Sequence, residues 1–349
     1  MTEKGLQELV STLSGIENVP GEVWCSLLML DAEERAYVAA LARKVTEKNF
    51  GKGVYVRALL EISSYCRNNC RYCGLRAANG SAVRYRLCKE QILECCRNAA
   101  ALGFSTFVLQ GGEDIAQSDE WLADVIKAIK EEFPAKAVTL SVGERSDNGF
   151  ALLRSAGADR YLLRHETACE KHYSVLHPST MSAVNRKRCL LVLGELGYQV
   201  GSGMMIGSPG QGIDELVADL QYLDSLKPAM IGIGPFIPAD GTPFADEQPG
   251  NVDMVLLVIS LLRLRFPKSL IPATTALATL CNNGTEQGIL AGANVVMPNI
   301  TPQIFARNYT IYNNKKIHDS ESAMQLKQLE ERLAAIDRYI DYGRGDYII

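Results

Sequence analysis

The sequence predicts an α/β protein built on a single (βα)8 barrel of the TIM type. Three observations lead there. From residue 54 onward strand-like runs alternate with helix-like stretches, the pattern of parallel βαβ units, and eight such strands are counted. Glycine marks the helix ends in Leu102-Gly103, Ala156-Gly157, Leu196-Gly197 and Ala291-Gly292, each just before the next strand. The length of 349 residues suits one barrel with appendages.

Residues 1–50 form a helical prelude, with helices expected at 3–13, 21–29 and 31–48. The last opens on Asp31, an N-cap before Ala-Glu-Glu-Arg. The barrel occupies residues 51–310, with strands at 55–62, 105–109, 137–142, 160–163, 199–206, 230–234, 270–273 and 294–297. Helices are expected between them near 89–102, 119–133, 148–156, 182–196, 212–226, 252–265 and 285–291. Residues 311–349 form a helical tail: a charged helix from Asp319 to Tyr342 carries Leu326, Leu329, Leu333 and Ile336 at helical spacing, and is read as packed outside the barrel. No linker, low-complexity segment or longer repeat divides the chain, so one domain is expected.

Composition narrows the function class. Lys plus Arg number 36 and Asp plus Glu 40, a net charge of −4, so no basic surplus calls for nucleic acid or an anionic membrane. The polar start Met-Thr-Glu-Lys-Gly-Leu-Gln has no apolar core, and no run of about 18 apolar residues occurs. A cytoplasmic enzyme acting on a small molecule is expected. Of ten cysteines seven are scattered, which reads as a reduced protein and not as a disulfide framework.

The other three lie within eight residues, Cys66-Arg67-Asn68-Asn69-Cys70-Arg71-Tyr72-Cys73, after the first strand. Three thiolates can hold three irons of a 4Fe-4S cube and leave the fourth open to an outside ligand, unlike a cluster held by four cysteines. Zinc is the rival reading, with Cys88 the nearest fourth ligand, although paired C-x-x-C knuckles are absent. Three inert buried cysteines fit poorly in a loop so rich in Arg and Asn.

In barrels of this kind the loops after the strands build the active face. Strand two is followed by Gln110-Gly111-Gly112-Glu113-Asp114, where two glycines admit a ligand to the backbone and a carboxylate can accept from an ammonium; Gly-Gly is also an ordinary turn. Strand three places Thr139 and Ser141 on one face. Arg164-His165-Glu166-Thr167 follows strand four, a ligand-binding set or a salt-bridged rim. Arg186 could clamp a carboxylate in bidentate fashion or lie on the surface. Met204 and Met205 after strand five fit an adenosyl contact or core filling. The last strands end in small or hydroxylated groups, Thr274-Thr275 and Met297-Pro298-Asn299 among them, which suits a dry cavity better than a proton relay.

The cysteine loop, with its aromatic residue before the last cysteine, resembles the signature of the radical S-adenosylmethionine (SAM) superfamily, and Gly-Gly-Glu after strand two resembles that superfamily's amino-group motif. Further stretches resemble the HydE family of FeFe-hydrogenase maturases: Tyr85-Arg86-Leu87, Asp159 to Thr167, Gly232 to Pro238, Ile271 to Thr275 and Val296 to Asn299. The resemblance runs from about residue 50 to 310. Biotin synthase and the methylornithine synthase PylB are relatives.

The resemblance implies a 5'-deoxyadenosyl radical made from SAM, acting on a small organometallic iron species bearing cysteine, carbon monoxide and cyanide during hydrogenase active-site assembly. It implies that Cys66, Cys70 and Cys73 ligate one 4Fe-4S cluster, that Tyr72 lies over it, and that Gly112 and Glu113 face the SAM amino group. Glu166 and Arg186 resemble the ribose and carboxylate contacts, while Ser141, Arg164, Thr274, Thr275 and Met297 fall where the family lines its substrate cavity. Some HydE proteins carry a second cluster on C-terminal cysteines; here Cys281 is the last, so none is expected. Implied partners are a reductant such as a ferredoxin or flavodoxin and other hydrogenase maturases. The alternatives are a PylB-like or biotin-synthase-like enzyme acting on an amino acid or other small organic substrate, and a non-catalytic cluster-binding protein.

Overall fold

The computed structural model describes residues 3–316 and 322–348. Three helices precede the barrel: α1 (Glu3–Gly15), α2 (Gly21–Leu28) and α3 (Ala32–Phe50). Asp31 caps α3 as expected, its carboxylate accepting from the Glu34 N–H while the Glu34 side chain accepts from the Asp31 N–H. The prelude is part of the main core, with Trp24, Leu27 and Val38 fully buried in it.

The first strand is two: β1 (Gly53–Val56) and β2 (Ala58–Ser63), broken at Arg57. Then follow α4 (Lys89–Ala101), β3 (Thr106–Gly111), α5 (Asp119–Glu132), β4 (Ala137–Ser141), α6 (Asp147–Ser155), β5 (Arg160–Leu162), α7 (Glu170–Leu176) and α8 (Ala183–Glu195). The second half continues with β6 (Gln199–Ser202), β7 (Met205–Ile206), α9 (Ile213–Leu226), β8 (Met230–Ile231), β9 (Gly234–Pro235) and α10 (Val252–Arg265). Last come α11 (Thr275–Leu280), α12 (Gly284–Leu290), β10 (Val295–Val296), α13 (Gln303–Ala306), α14 (Ser322–Ala334) and β11 (Tyr339–Asp341).

Parallel pairing runs β2-β3-β4-β5-β6-β8, and single bridges Met230–Leu270 and Pro272–Val295 carry it on to β10, which pairs with β1. The circuit closes, and the barrel is TIM-like. The expected seventh strand, 270–273, is reduced to those bridges. Pro272 has no N–H for a ladder, and Thr274 turns the chain into α11 by accepting from the Leu277 N–H. The expected fifth strand, 199–206, breaks at Gly203, where a Cβ would lie 1.9 Å from the Gly232 carbonyl oxygen. The tail also differs from its expected single helix. Residues 319–321 lie outside the described residues, α14 follows with Leu326, Leu329 and Leu333 buried, and left-handed Asp337 (φ 58°) then redirects the chain into β11, which pairs with β1.

Alternation along the strands sets up the interior. Phe107, Leu109, Val138, Leu140 and Tyr161 are buried in the main apolar core, whereas Leu59, Glu61, Gln110, Ser141, Leu162 and Arg164 line one cavity. The opposite end of the barrel is filled by the C-terminal residues. Arg160, fully buried, donates to the carbonyl oxygen of Arg344 at 2.7 Å and to the Asp346 carboxylate at 2.6 Å, and Arg57 donates to the carbonyl oxygen of Gly345 at 3.2 Å.

Candidate active site

The cysteine loop leaves β2 and is held from several sides by backbone bonds. The N–H groups of Arg67, Arg71 and Gly74 donate to the carbonyl oxygens of Glu113 (2.9 Å), Leu176 (2.8 Å) and Ile311 (3.0 Å). The Arg84 guanidinium ties the loop together by donating to the carbonyl oxygens of Ser64, Leu75 and Arg76. Beside it Arg86 lies 3.6 Å over the Tyr65 ring and forks onto Asp114 at 2.6 and 2.9 Å. Burial works against ionisation of Asp114, but the Arg86 fork, the Ser63 hydroxyl and the Ala116 N–H together hold its carboxyl below the ordinary range.

Cys66, Cys70 and Cys73 are free thiols of intermediate exposure. Burial pushes all three up, Cys73 to about 12; Cys66 adds to the shift at Cys73, and both neighbours add to it at Cys70. Three mutually repelling sulfurs on one loop require a cation to become thiolates, and soft sulfur donors suit iron-sulfur ligation. Among the described residues no three His, Cys, Asp or Glu side chains are gathered closely enough for one metal ion. A cube asks only that each sulfur reach its own iron. The residues therefore fit the cluster.

The expected SAM-side residues surround this loop. Gly112 ends β3 where a Cβ would lie 2.3 Å from the Tyr65 carbonyl oxygen and 2.7 Å from Cys66 Cβ, so only glycine passes. Glu113 is buried and clamps the site, one carboxylate oxygen accepting from Arg67 Nε at 3.0 Å and the other from the Glu144 N–H at 2.9 Å. Space for it comes from Gly143, where φ is 78° and a Cβ would stand 2.0 Å from Glu113 Cγ. Glu166 adopts a left-handed backbone (φ 63°), uncommon for a non-glycine residue and a mark of functional sites. Its N–H donates to the Gly203 carbonyl oxygen at 3.1 Å, and its carboxylate accepts from Arg164 at 2.8 Å.

Arg186, on α8, is buried rather than on the surface. Its Nε donates to Glu144 at 2.6 Å and its Nη1 to the carbonyl oxygen of Arg164 at 2.7 Å. Tyr72 stands edge-on to His177, with Oη 3.2 Å from Nε2. Burial and the Arg186 charge hold His177 down to about 3, so its ring is neutral at physiological pH. Because Nδ1 faces the Tyr173 carbonyl oxygen at 3.1 Å, it carries the proton and Nε2 accepts from Tyr72. Met204 is fully buried in the main core, and Met205 packs with Leu176, Phe236 and Phe244.

Ser141, Arg164, Thr274, Thr275 and Met297 all line a single cavity of about 390 Å³. Arg164 Nε is buried there without a partner. Several lining groups were not foreseen. Glu61, fully buried on β2, accepts from Asn299 at 3.0 Å and pairs with Lys315, while Gln110 donates to the Tyr309 hydroxyl at 3.4 Å. Burial pushes the Glu61 carboxyl up and the Lys315 ammonium down, and each charge opposes its partner's shift. A charge inside Leu59-Leu60-Glu61-Ile62 was the available signal for Glu61. Lys315 had none.

Comparison with known proteins agrees with this geometry. The family model described as the radical SAM superfamily matches residues 60–223. The FeFe-hydrogenase maturase subunit HydE of Thermotoga maritima is 46% identical over 275 residues, 79% of this chain and 78% of that one. The 3-methylornithine synthase of Methanosarcina acetivorans is 30% identical over 274 residues, 78% of this chain and 77% of that one. The crystal structure of methylornithine synthase PylB superposes with a TM-score of 0.83 at 26% identity, covering 95% of this chain and 97% of that one. Among the described residues no helix is long and apolar enough to cross a membrane. With the three-cysteine loop, the Gly-Gly-Glu end of β3 and the closed barrel in place, the chain belongs to the radical SAM superfamily and, within it, to the HydE family.

Proposed function

We propose that this enzyme acts as a HydE-type maturase, using SAM to transform a small organometallic iron species bearing cysteine, carbon monoxide and cyanide during assembly of the FeFe-hydrogenase active site. The supporting observation is the Arg186–Arg164 bond, which joins the residue proposed for the SAM carboxylate to one proposed for substrate. Cys66, Cys70 and Cys73 would ligate one 4Fe-4S cluster. When bound, the cluster and SAM supply an electron and a carbon radical precursor.

The chain's own residues orient and shield. Gly112 brings the backbone up to the cysteine loop, Glu113 fixes Arg67 and the turn at Glu144, and Tyr72 covers the loop from the side of His177. Glu166 is the proposed ribose contact, locked in its left-handed turn. Ser141, Arg164, Thr274, Thr275 and Met297 would hold substrate, with the buried Arg164 guanidinium as fixed donor to a carboxylate or to cyanide nitrogen. A ferredoxin or flavodoxin would supply the electron, and other hydrogenase maturases would take the product onward.

The similarity to 3-methylornithine synthase supports a second reading, with an amino acid as substrate. Anaerobic reconstitution followed by SAM-cleavage and hydrogenase-maturation assays separates the two. Maturation of the hydrogenase supports the first reading, and a rearranged amino acid supports the second.

A further inference from the structure

The segment 307–316, between α13 and the end of the described residues before α14, crosses the mouth of the cavity and belongs to no strand or long helix. Tyr309, Ile311, Tyr312, Lys315 and Lys316 contribute its inner surface to the cavity wall. A few isolated bonds hold it. The Ile311 carbonyl oxygen accepts from the Gly74 N–H at 3.0 Å, next to Cys73, and the Asn313 N–H donates to the Pro238 carbonyl oxygen at 2.9 Å. The Asn313 side chain exchanges two bonds with Asp240, at 2.9 and 2.7 Å. Packing against the cysteine loop is close, since a Cβ at Gly74 would stand 2.0 Å from the Thr310 carbonyl oxygen.

The deepest attachment is an ion pair. Lys315 descends from this segment onto Glu61 and also donates to the Tyr309 carbonyl oxygen at 3.2 Å. Its side chain is 7% exposed and that of Glu61 1%. A charge pair this buried recovers little net stability, because desolvation offsets its attraction. For the same reason it is well suited to a part that must open: when the segment lifts, water re-solvates both ions. An apolar anchor would be exposed at a loss on every opening.

We infer that Lys315 and Glu61 are a positioning pair that latches residues 307–316 as a roof over the reaction cavity, opening to admit substrate and seating the Cys73–Gly74 stretch when closed. This rests on the cavity being the reaction chamber, as proposed above; the latch itself is tested independently of what the chamber holds.

The test uses the cluster-reconstituted protein. Hydrogen–deuterium exchange across 307–316 is compared among wild type, Lys315→Met, Lys315→Arg and the charge-free double variant Glu61→Gln/Lys315→Met, which leaves no unpaired buried charge should the single variant fold poorly. Exchange in this segment should rise at least tenfold in Lys315→Met and in the double variant, and return toward wild type in Lys315→Arg, with exchange in β3 and β4 unchanged. SAM affinity should stay within about twofold, while SAM consumed per hydrogenase matured should rise several-fold in the loosened variants. Unchanged exchange in 307–316 in the double variant overturns the latch, even if maturation is lost, because the pair would then act on substrate directly. Loosened exchange with no maturation by the wild type itself leaves the latch standing and defeats the proposed function.

Discussion

Arg186 donates from Nη1 to the carbonyl oxygen of Arg164 at 2.7 Å, so the guanidinium of α8 fixes the backbone from which the next guanidinium reaches into the cavity. Glu144 completes the arrangement by accepting from Arg186 Nε at 2.6 Å, and its own N–H is held by Glu113. The groups proposed for the SAM amino end, the SAM carboxylate and the substrate are therefore one connected polar network.

That network makes Arg186 sensitive to a change that keeps its charge. Lysine lacks the planar fork and cannot serve Glu144, the Arg164 carbonyl and a ligand together. Losing a charge-assisted bond costs about 1.5–3 kcal/mol, so Arg186→Lys should weaken SAM binding roughly ten- to hundredfold. Equilibrium binding to the reconstituted protein measures it. An unchanged dissociation constant would remove Arg186 from the SAM site.

Arg164→Ala should behave differently. The cluster and most SAM affinity should survive, because Arg164 meets the network mainly through its backbone carbonyl. Hydrogenase maturation should fall by an amount corresponding to about 1.5–3 kcal/mol, the worth of a charged hydrogen bond. Maturation at wild-type level would show that substrate is held elsewhere.

Gly112→Ala tests the fit between β3 and the cysteine loop. The added Cβ would stand 2.3 Å from the Tyr65 carbonyl oxygen and 2.7 Å from Cys66 Cβ, so one of the two backbones must move. Iron bound per chain after reconstitution should drop well below the roughly four irons of one cube in the wild type. Full iron content in the variant would contradict the close approach.

The plug at the far end of the barrel should show itself in acid. Burial opposes ionisation of Asp346, yet Arg344 and Arg160 hold its carboxyl down to about 2. Its folded value lies below its unfolded one, so its stabilisation is complete above about pH 4. It is lost as pH falls from there toward 2. Asp346→Asn should lower the denaturation midpoint at pH 6, and the gap to wild type should narrow as pH falls through this window. A pH-independent gap would mean that the pair contributes no linked protonation.

The sequence made the chemistry legible where the chemistry is local. Three cysteines, a Gly-Gly-Glu turn and the Arg164–Glu166 stretch each sit within a few residues, and the barrel repeat says which ends face the same way. It was silent where partners are distant. Glu61 and Lys315 are 254 residues apart, and no local pattern joins a strand carboxylate to a lysine in a loop. Strand seven was legible as an apolar run, but Pro272 and the Thr274 cap leave it only single bridges. The tail read as one helix because its leucines keep helical spacing, whereas the left-handed turn at Asp337 and the pairing of β11 with β1 come from tertiary context.

The central claim is that this barrel carries out HydE-type chemistry, and complementation of a hydrogenase-producing host lacking its own HydE activity tests it most directly. The wild-type protein should restore hydrogen evolution, and Cys70→Ala, with one of three cluster ligands removed, should not. A soluble, SAM-cleaving wild type that fails to restore hydrogenase, yet converts an amino acid to a rearranged product, would contradict the account.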